Sequence, residues 1–188
     1  MKIVSAKFMK GIVTTDDALT DGTPQIAFVG RSNVGKSSII NTLTNTSVAR
    51  TSSSAGSTQE MNLYLINKDF YFLDLPGYGF ARASGRGREK IGDLIDLYLF
   101  QSGYEQKKVL LVIDANIGMT EKDQSMFEEL KDHHKDIIIV FNKIDKMNQS
   151  ESHHQLLSIK KIIGDTPLVQ FSSKKKSGLD KLTGLIFG

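Results

Sequence analysis

Short apolar runs recur along the chain, each closed by glycine or a polar residue. Ile26–Val29 is followed by Gly30, Phe70–Leu73 by Asp74, Val109–Ile113 by Asp114, Ile137–Phe141 by Asn142 and Leu168–Phe171 by Ser172. Runs this short and this apolar read as strands buried on both faces. Met61–Ile66 also looks extended, and Asn67–Lys68 forms a short turn that pairs it with the next strand as a hairpin. Between the strands lie helix-like segments at about Lys36–Thr44, Glu89–Gln101, Glu121–His133, Glu151–Ile163 and Leu179–Phe187. Thr120 with Asp123 and Ser177 with Asp180 have the spacing of helix-opening capping boxes. The alternation predicts an α/β protein with a mostly parallel, six-stranded sheet and helices on both faces.

In open sheets of this kind, ligands bind beyond the carboxyl ends of the strands. Glycine and polar residues at every such end therefore suggest one shared site. Gly30-Arg31-Ser32-Asn33-Val34-Gly35-Lys36-Ser37 fills the phosphate-binding loop pattern between a strand and a helix, and Ser38 continues it into the helix. The two glycines let several backbone N–H groups converge on an anion, and the helix start adds its positive dipole end. Lys36 is placed to reach terminal phosphates, and the Ser37 hydroxyl to bind magnesium. The loop specifies a nucleoside triphosphate and a P-loop NTPase fold, without naming the base.

The base is named by Asn142-Lys143-Ile144-Asp145, which follows another buried run. A carboxylate at Asp145 accepts hydrogen bonds from the ring N–H and exocyclic amine of guanine, which adenine lacks. Adenine would leave that charge unpaired. Asn142 can brace the loop, and the Lys143 stem can lie against the ring. Asp74-Leu75-Pro76-Gly77 offers a carboxylate to hold magnesium through water and a Gly77 N–H to sense the γ-phosphate. Thr58, with Gly56 and Ser57 before it, lies in the polar stretch Arg50–Gln59 and can complete the magnesium shell; Thr51 competes with it on composition. Ser172-Ser173-Lys174 can bring a backbone N–H to the guanine 6-oxo group.

Composition changes the picture only by exclusion. With 188 residues, 39% hydrophobic and 24% charged, the chain fits one ordinary folded domain. It has no cysteine, which removes disulfides, thiolate metal sites and cysteine nucleophiles. No apolar run approaches a membrane span and the N-terminus lacks a signal-peptide pattern, so a cytoplasmic protein acting away from membranes is expected. Net charge is only +3, yet Arg82, Arg86, Arg88 and Lys90 stand close together against Glu89. A second basic run, Lys174–Lys176, reads as a solvated turn. Two histidine pairs, His133–His134 and His153–His154, read as helix surface, because neighbours on a helix point about 100° apart.

Taken together, GRSNVGKSS at 30–38, RTSSSAGSTQEMNLY at 50–64, DLPGYGFA at 74–81 and NKID at 142–145 resemble the EngB family of bacterial GTP-binding proteins. The likeness runs from about Pro24 to the last helix, with Ile91 where many relatives carry Trp. It favours Thr58 over Thr51. It implies a single GTPase domain over residues 1–188, a monomer with Mg2+ as cofactor and GTP or GDP as ligand. It also implies a role in large ribosomal subunit assembly, with a need in cell division and septation. An alternative is a GTP-dependent protein-binding module at the division machinery, with incidental hydrolysis.

Phosphoryl transfer is mainly positioning and charge stabilisation, here expected from Lys36, Thr58 and Gly77. Many GTPases carry Gln directly after the Gly77 position to orient water; Tyr78 stands here, predicting slow unassisted hydrolysis, below about 1 s⁻¹. In some related GTPases an Asn at the Asn33 position ligates potassium; a loop Asn that only stabilises the turn is the other reading. The Arg82–Lys90 segment, beside the second switch, is the expected rRNA contact.

Overall fold

The computed structural model describes residues 2–51, 60–79 and 85–188, and of residues 85–88 the backbone alone. Strands β1 (Ala6–Ile12), β2 (Gln25–Gly30), β3 (Met61–Ile66), β4 (Phe70–Asp74), β5 (Gln106–Asp114), β6 (Ile137–Asn142) and β7 (Leu168–Phe171) form one sheet in the order β1-β3-β4-β2-β5-β6-β7. The sheet thus has seven strands rather than the expected six. β4, β2, β5, β6 and β7 run parallel, and β3 and β1 add antiparallel strands at one edge.

The additional strand, β1, escaped the hydrophobic pattern because it is an edge strand exposed along most of its length, with Lys7 and Lys10 among its residues. A bulge at Met9 shifts its register against β3. Its approach is fixed from the β3–β4 turn. Asn67 and Lys68 both take left-handed backbone angles there, φ +52° and +65°, as the central positions of a type I′ turn require. The Asp69 N–H closes that turn on the Ile66 carbonyl at 2.9 Å. The Asn67 side chain then accepts hydrogen bonds from the Val4 and Ser5 N–H groups (2.7 and 3.1 Å) and donates to the Lys2 carbonyl (2.9 Å).

Helices α1 (Lys36–Thr44), α2 (Gly85–Asp96), α3 (Glu121–Asp132), α4 (Gln149–Ile163) and α5 (Leu179–Phe187) cover both faces. Alternate residues of each central strand divide between two cores. Ala27, Val29, Leu73, Leu111, Ile139 and Phe141 pack with Leu94, Ile95, Phe127, Leu130 and Ile159 of α2, α3 and α4. Phe28, Phe72, Leu110, Val112, Val140 and Phe171 pack with Ile39, Ile40, Leu182 and Ile186 of α1 and α5. Burial of this much apolar surface, at roughly 25 cal/mol per Å², drives the fold.

α2 begins four residues before its expected start at Glu89 and ends in a π-helical turn at Leu97–Gln101. The Thr120–Asp123 capping box is formed, with Asp123 accepting from the Thr120 N–H and hydroxyl at 2.9 and 2.7 Å. The Ser177–Asp180 box is not. Gly178 caps α5 instead, because an added Cβ there would lie 2.2 Å from the Gln170 carbonyl oxygen. α4 has its own box, Asn148 with Glu151. Among the described residues, no helix is long and apolar enough to cross a membrane.

Candidate nucleotide site

Gly30, Asp74, Asp114, Asn142 and the Ser172 segment emerge at the same end of the sheet, where the chain order reverses across β2. The phosphate loop leaves β2 at Gly30, an added Cβ on which would meet the Val112 carbonyl oxygen at 2.4 Å. Gly35, with φ +103°, caps α1. A Cβ at Gly35 would lie 2.4 Å from Asn142 Nδ2, so the phosphate loop and the Asn142–Asp145 turn lie against each other. Asn142 Nδ2 donates to the Val34 carbonyl at 2.8 Å, supplying the expected brace from side chain to loop backbone.

Lys36 is buried, and its ammonium donates to the Gly30 carbonyl at 3.2 Å. Burial lowers its pKa, against the opposing charge of Asp74. Burial likewise raises the pKa of Asp74, opposed by Lys36 and by the Ser37 hydroxyl, which donates to Asp74 Oδ2 at 2.5 Å. Among the described residues, Asp74 Oδ1 finds no hydrogen-bond partner, although it is buried. A hydroxyl beside a buried carboxylate with an unused oxygen suits a hydrated divalent cation.

Gly77 and Tyr78 lie on the phosphate loop. Ser32 donates from its hydroxyl to the Gly77 carbonyl (3.1 Å) and from its N–H to the Tyr78 carbonyl (3.2 Å). A Cβ at Gly77 would stand 2.6 Å from the Ser32 backbone nitrogen, so only glycine permits this approach. The Tyr78 ring turns away from the loop. Its hydroxyl donates to Asp123 Oδ1 at 2.8 Å, and burial, with Asp123 second, pushes its pKa well up.

At the base end, the Ser172 hydroxyl donates to Asp145 Oδ1 at 2.5 Å. That bond is the main reason the Asp145 carboxyl lies below its ordinary range, with Lys174 and Lys175 adding smaller pulls. Sequence reasoning assigned the Ser172–Lys174 segment to a backbone contact with the base and missed this hydroxyl. Ser173 Oγ and Asn142 Oδ1 are also buried, with no hydrogen-bond partner among the described residues. Lys143, at φ +68°, extends its ammonium to the Asn33 carbonyl (2.5 Å) and to Asp114 Oδ2 (2.6 Å). Sequence reasoning placed Asp114 among the strand ends without giving it a partner, and gave Asp123 only its capping role. An acid directly after a buried strand was the available signal for the first, and the capping box for the second.

Gly56, Ser57 and Thr58 lie outside the described residues, as does Arg82. Of Arg86 and Arg88 only the backbone, within α2, is described, while Lys90 is exposed.

A model of the 50S ribosome-binding GTPases matches residues 25–143. The probable GTP-binding protein EngB of Clostridium perfringens is 40% identical over 191 residues, covering 100% of this chain and 96% of its own. The chain belongs to the EngB family. A Thermosipho africanus member is 36% identical, with 99% and 97% covered. As a family member the chain binds guanine nucleotide and is a GTPase. Among solved structures, a probable EngB protein superposes with a TM-score of 0.74 at 23% identity, covering 87% of this chain and 96% of that one, which speaks for the fold alone. Era bound to MgGDPNP and a segment of 16S ribosomal RNA superposes with a TM-score of 0.72 at 29% identity; the match covers 87% of this chain and 55% of Era.

Proposed function

We propose that this EngB-family GTPase is a nucleotide-dependent switch in large ribosomal subunit assembly, and is thereby needed for cell division and septation. One observation carries the reading: Gly77 and Tyr78 are hydrogen-bonded to Ser32 within the phosphate loop, so occupancy of that loop governs the segment leading to Arg82–Lys90. The nucleotide lies between the two loops. The N–H groups of Gly30–Ser38 and the Lys36 ammonium hold its phosphates, and Asp145, with Ser172 behind it, reads the guanine edge. The family's 50S association and Era's ribosomal RNA support an RNA partner, met through Arg82, Arg86, Arg88 and Lys90 in a salt-sensitive contact.

Ser37, Asp74 and Thr58 would hold Mg2+, which when bound neutralises charge developing on the phosphate oxygens. Gly77 N–H marks the γ-phosphate. With the Tyr78 hydroxyl committed to Asp123, that side chain does not orient water, and unassisted turnover stays below about 1 s⁻¹. Potassium at Asn33 would supply extra positive charge. If so, exchanging potassium for sodium slows single-turnover hydrolysis and leaves GDP affinity unchanged; equal rates in both salts exclude that ion.

The main test is co-sedimentation with large ribosomal subunits. Protein loaded with a non-hydrolysable GTP analogue is expected in the subunit fraction, and GDP-loaded protein in the supernatant. Loss of binding in Arg86→Glu/Arg88→Glu, with GDP affinity retained, assigns the contact. Absence of binding with either nucleotide refutes the ribosomal role, and would leave the division-machinery partner to be sought.

A further inference from the structure

We infer that Asp114 is a positioning residue for guanine-nucleotide binding, holding Lys143 so that the base turn and the phosphate loop are set as one unit. The inference rests on the nucleotide lying between those two loops, as proposed above.

Asp114 ends β5 directly beside Asn142, its register partner at the end of β6. Its two carboxylate oxygens do different things. Oδ1 accepts the Asn116 N–H at 3.1 Å, while the Asp114 backbone carbonyl accepts the Ile117 and Gly118 N–H groups at 3.0 and 2.9 Å. The carboxylate is thus fixed by the turn that follows it. Oδ2 is left for the Lys143 ammonium at 2.6 Å, with the Asp114 side chain only 10% exposed and that of Lys143 24%. The same ammonium donates to the Asn33 carbonyl of the phosphate loop.

Lys143 needs such a partner. Its left-handed backbone is unfavourable for a residue with a Cβ, and a free lysine chain would sample many rotamers. Held at its tip by Asp114, the stem runs past Gly35, where an added Cβ would lie 3.9 Å from Lys143 Cε. Asn142 makes the parallel link to Val34. Two adjacent residues of the base turn therefore grip two adjacent carbonyls of the phosphate loop, and Asp114 anchors one of the grips from a third strand.

A carboxylate that merely caps its own turn would make the Lys143 contact incidental. Asp114→Asn separates the two roles. Its amide oxygen still accepts the Asn116 N–H, while its NH₂ group turns a neutral donor toward the ammonium. Release of a fluorescent GDP analogue is measured for wild type, Asp114→Asn, Lys143→Met and the double variant. Lys143→Met keeps an unbranched stem and removes the charge. Asp114→Asn is expected to speed release about tenfold with little change in association. In the Lys143→Met background the same change should alter release less than twofold, because the pair is already broken.

Wild-type release in Asp114→Asn, or effects that multiply in the double variant, overturn the inference. So does a drop in thermal stability without nucleotide that is unaccompanied by faster release. Asp145→Ala separates the two levels: loss of guanine-over-adenine preference upholds the placement of the nucleotide whatever Asp114 does. Retained preference removes that placement, and this inference with it.

Discussion

Ser172 shows how little of a binding site its most conspicuous residues contain. The tetrapeptide ending in Asp145 was readable because it follows a buried strand in a chain that already carries a phosphate loop, whereas such a turn alone is common. The hydroxyl that bonds it stands just after another strand, and no local pattern around Asp145 places it. The Ser172 O–H bond favours the charged form of Asp145 and holds its pKa below the ordinary 3.8. The guanine recognition proposed for Asp145 requires the charged form. Affinity in the wild type should therefore persist as pH falls to the usual carboxylate range, and decline only below it. Ser172→Ala removes the bond, returns the pKa toward its ordinary value, and moves the loss of affinity to higher pH. Near neutral pH, where Asp145 is ionised in both proteins, the variant should still bind GDP about fivefold more weakly, because the carboxylate is no longer aimed. Calorimetric titration with GDP from pH 7 down to about pH 3 reads both effects. Parallel curves displaced by a constant factor would leave only the aiming role.

The β3–β4 hairpin and β1 mark the limit of pattern reading among the elements. Strands buried on both faces were plain from their apolar runs, and α1 and α5 from their boundaries. β1 was hidden, since an edge strand with lysines and a bulge carries no two-residue alternation. α2 was truncated in the sequence reading because Gly85 and Gly87 are poor helix formers, and packing of Ile91, Leu94 and Ile95 overrides that preference. Asn67 ties the hidden strand to the visible hairpin. In Asn67→Gly, glycine accepts the turn's positive φ, but the bonds to Lys2, Val4 and Ser5 vanish. These bonds are exposed, so stability should fall by only about 1 kcal/mol. Amide exchange in Lys7–Gly11 should accelerate more than in β4 or β5, as measured by mass spectrometry. Uniform acceleration would mean that β1 unfolds only with the whole sheet.

Across the molecule, the two ends of the sheet have separate tasks. The carboxyl ends of the strands hold charged and orphaned groups, Lys36, Asp74 and Asn142 among them, which is costly without a ligand. At the opposite end the polar groups are closed on one another. Tyr98, in the π-helical turn after α2, is 1% exposed and donates to Gln25 Oε1 at 3.0 Å. Gln25, at the start of β2, donates to the Leu19 carbonyl at 2.7 Å. Gln106, at the start of β5, donates to the Tyr98 carbonyl at 3.0 Å and accepts from Lys135 at 2.7 Å. This network pins the distal end of α2 to the central strands. Tyr98→Phe keeps the ring in place and removes one donor, leaving Gln25 Oε1 buried and unpaired. The expected cost is about 1–3 kcal/mol in urea unfolding. GDP affinity should stay within about twofold of wild type, because every group proposed to touch the nucleotide lies at the far ends of the same strands. A large loss of affinity at full stability would instead make the π-helical turn a conduit between the α2 anchor and the nucleotide site proposed above.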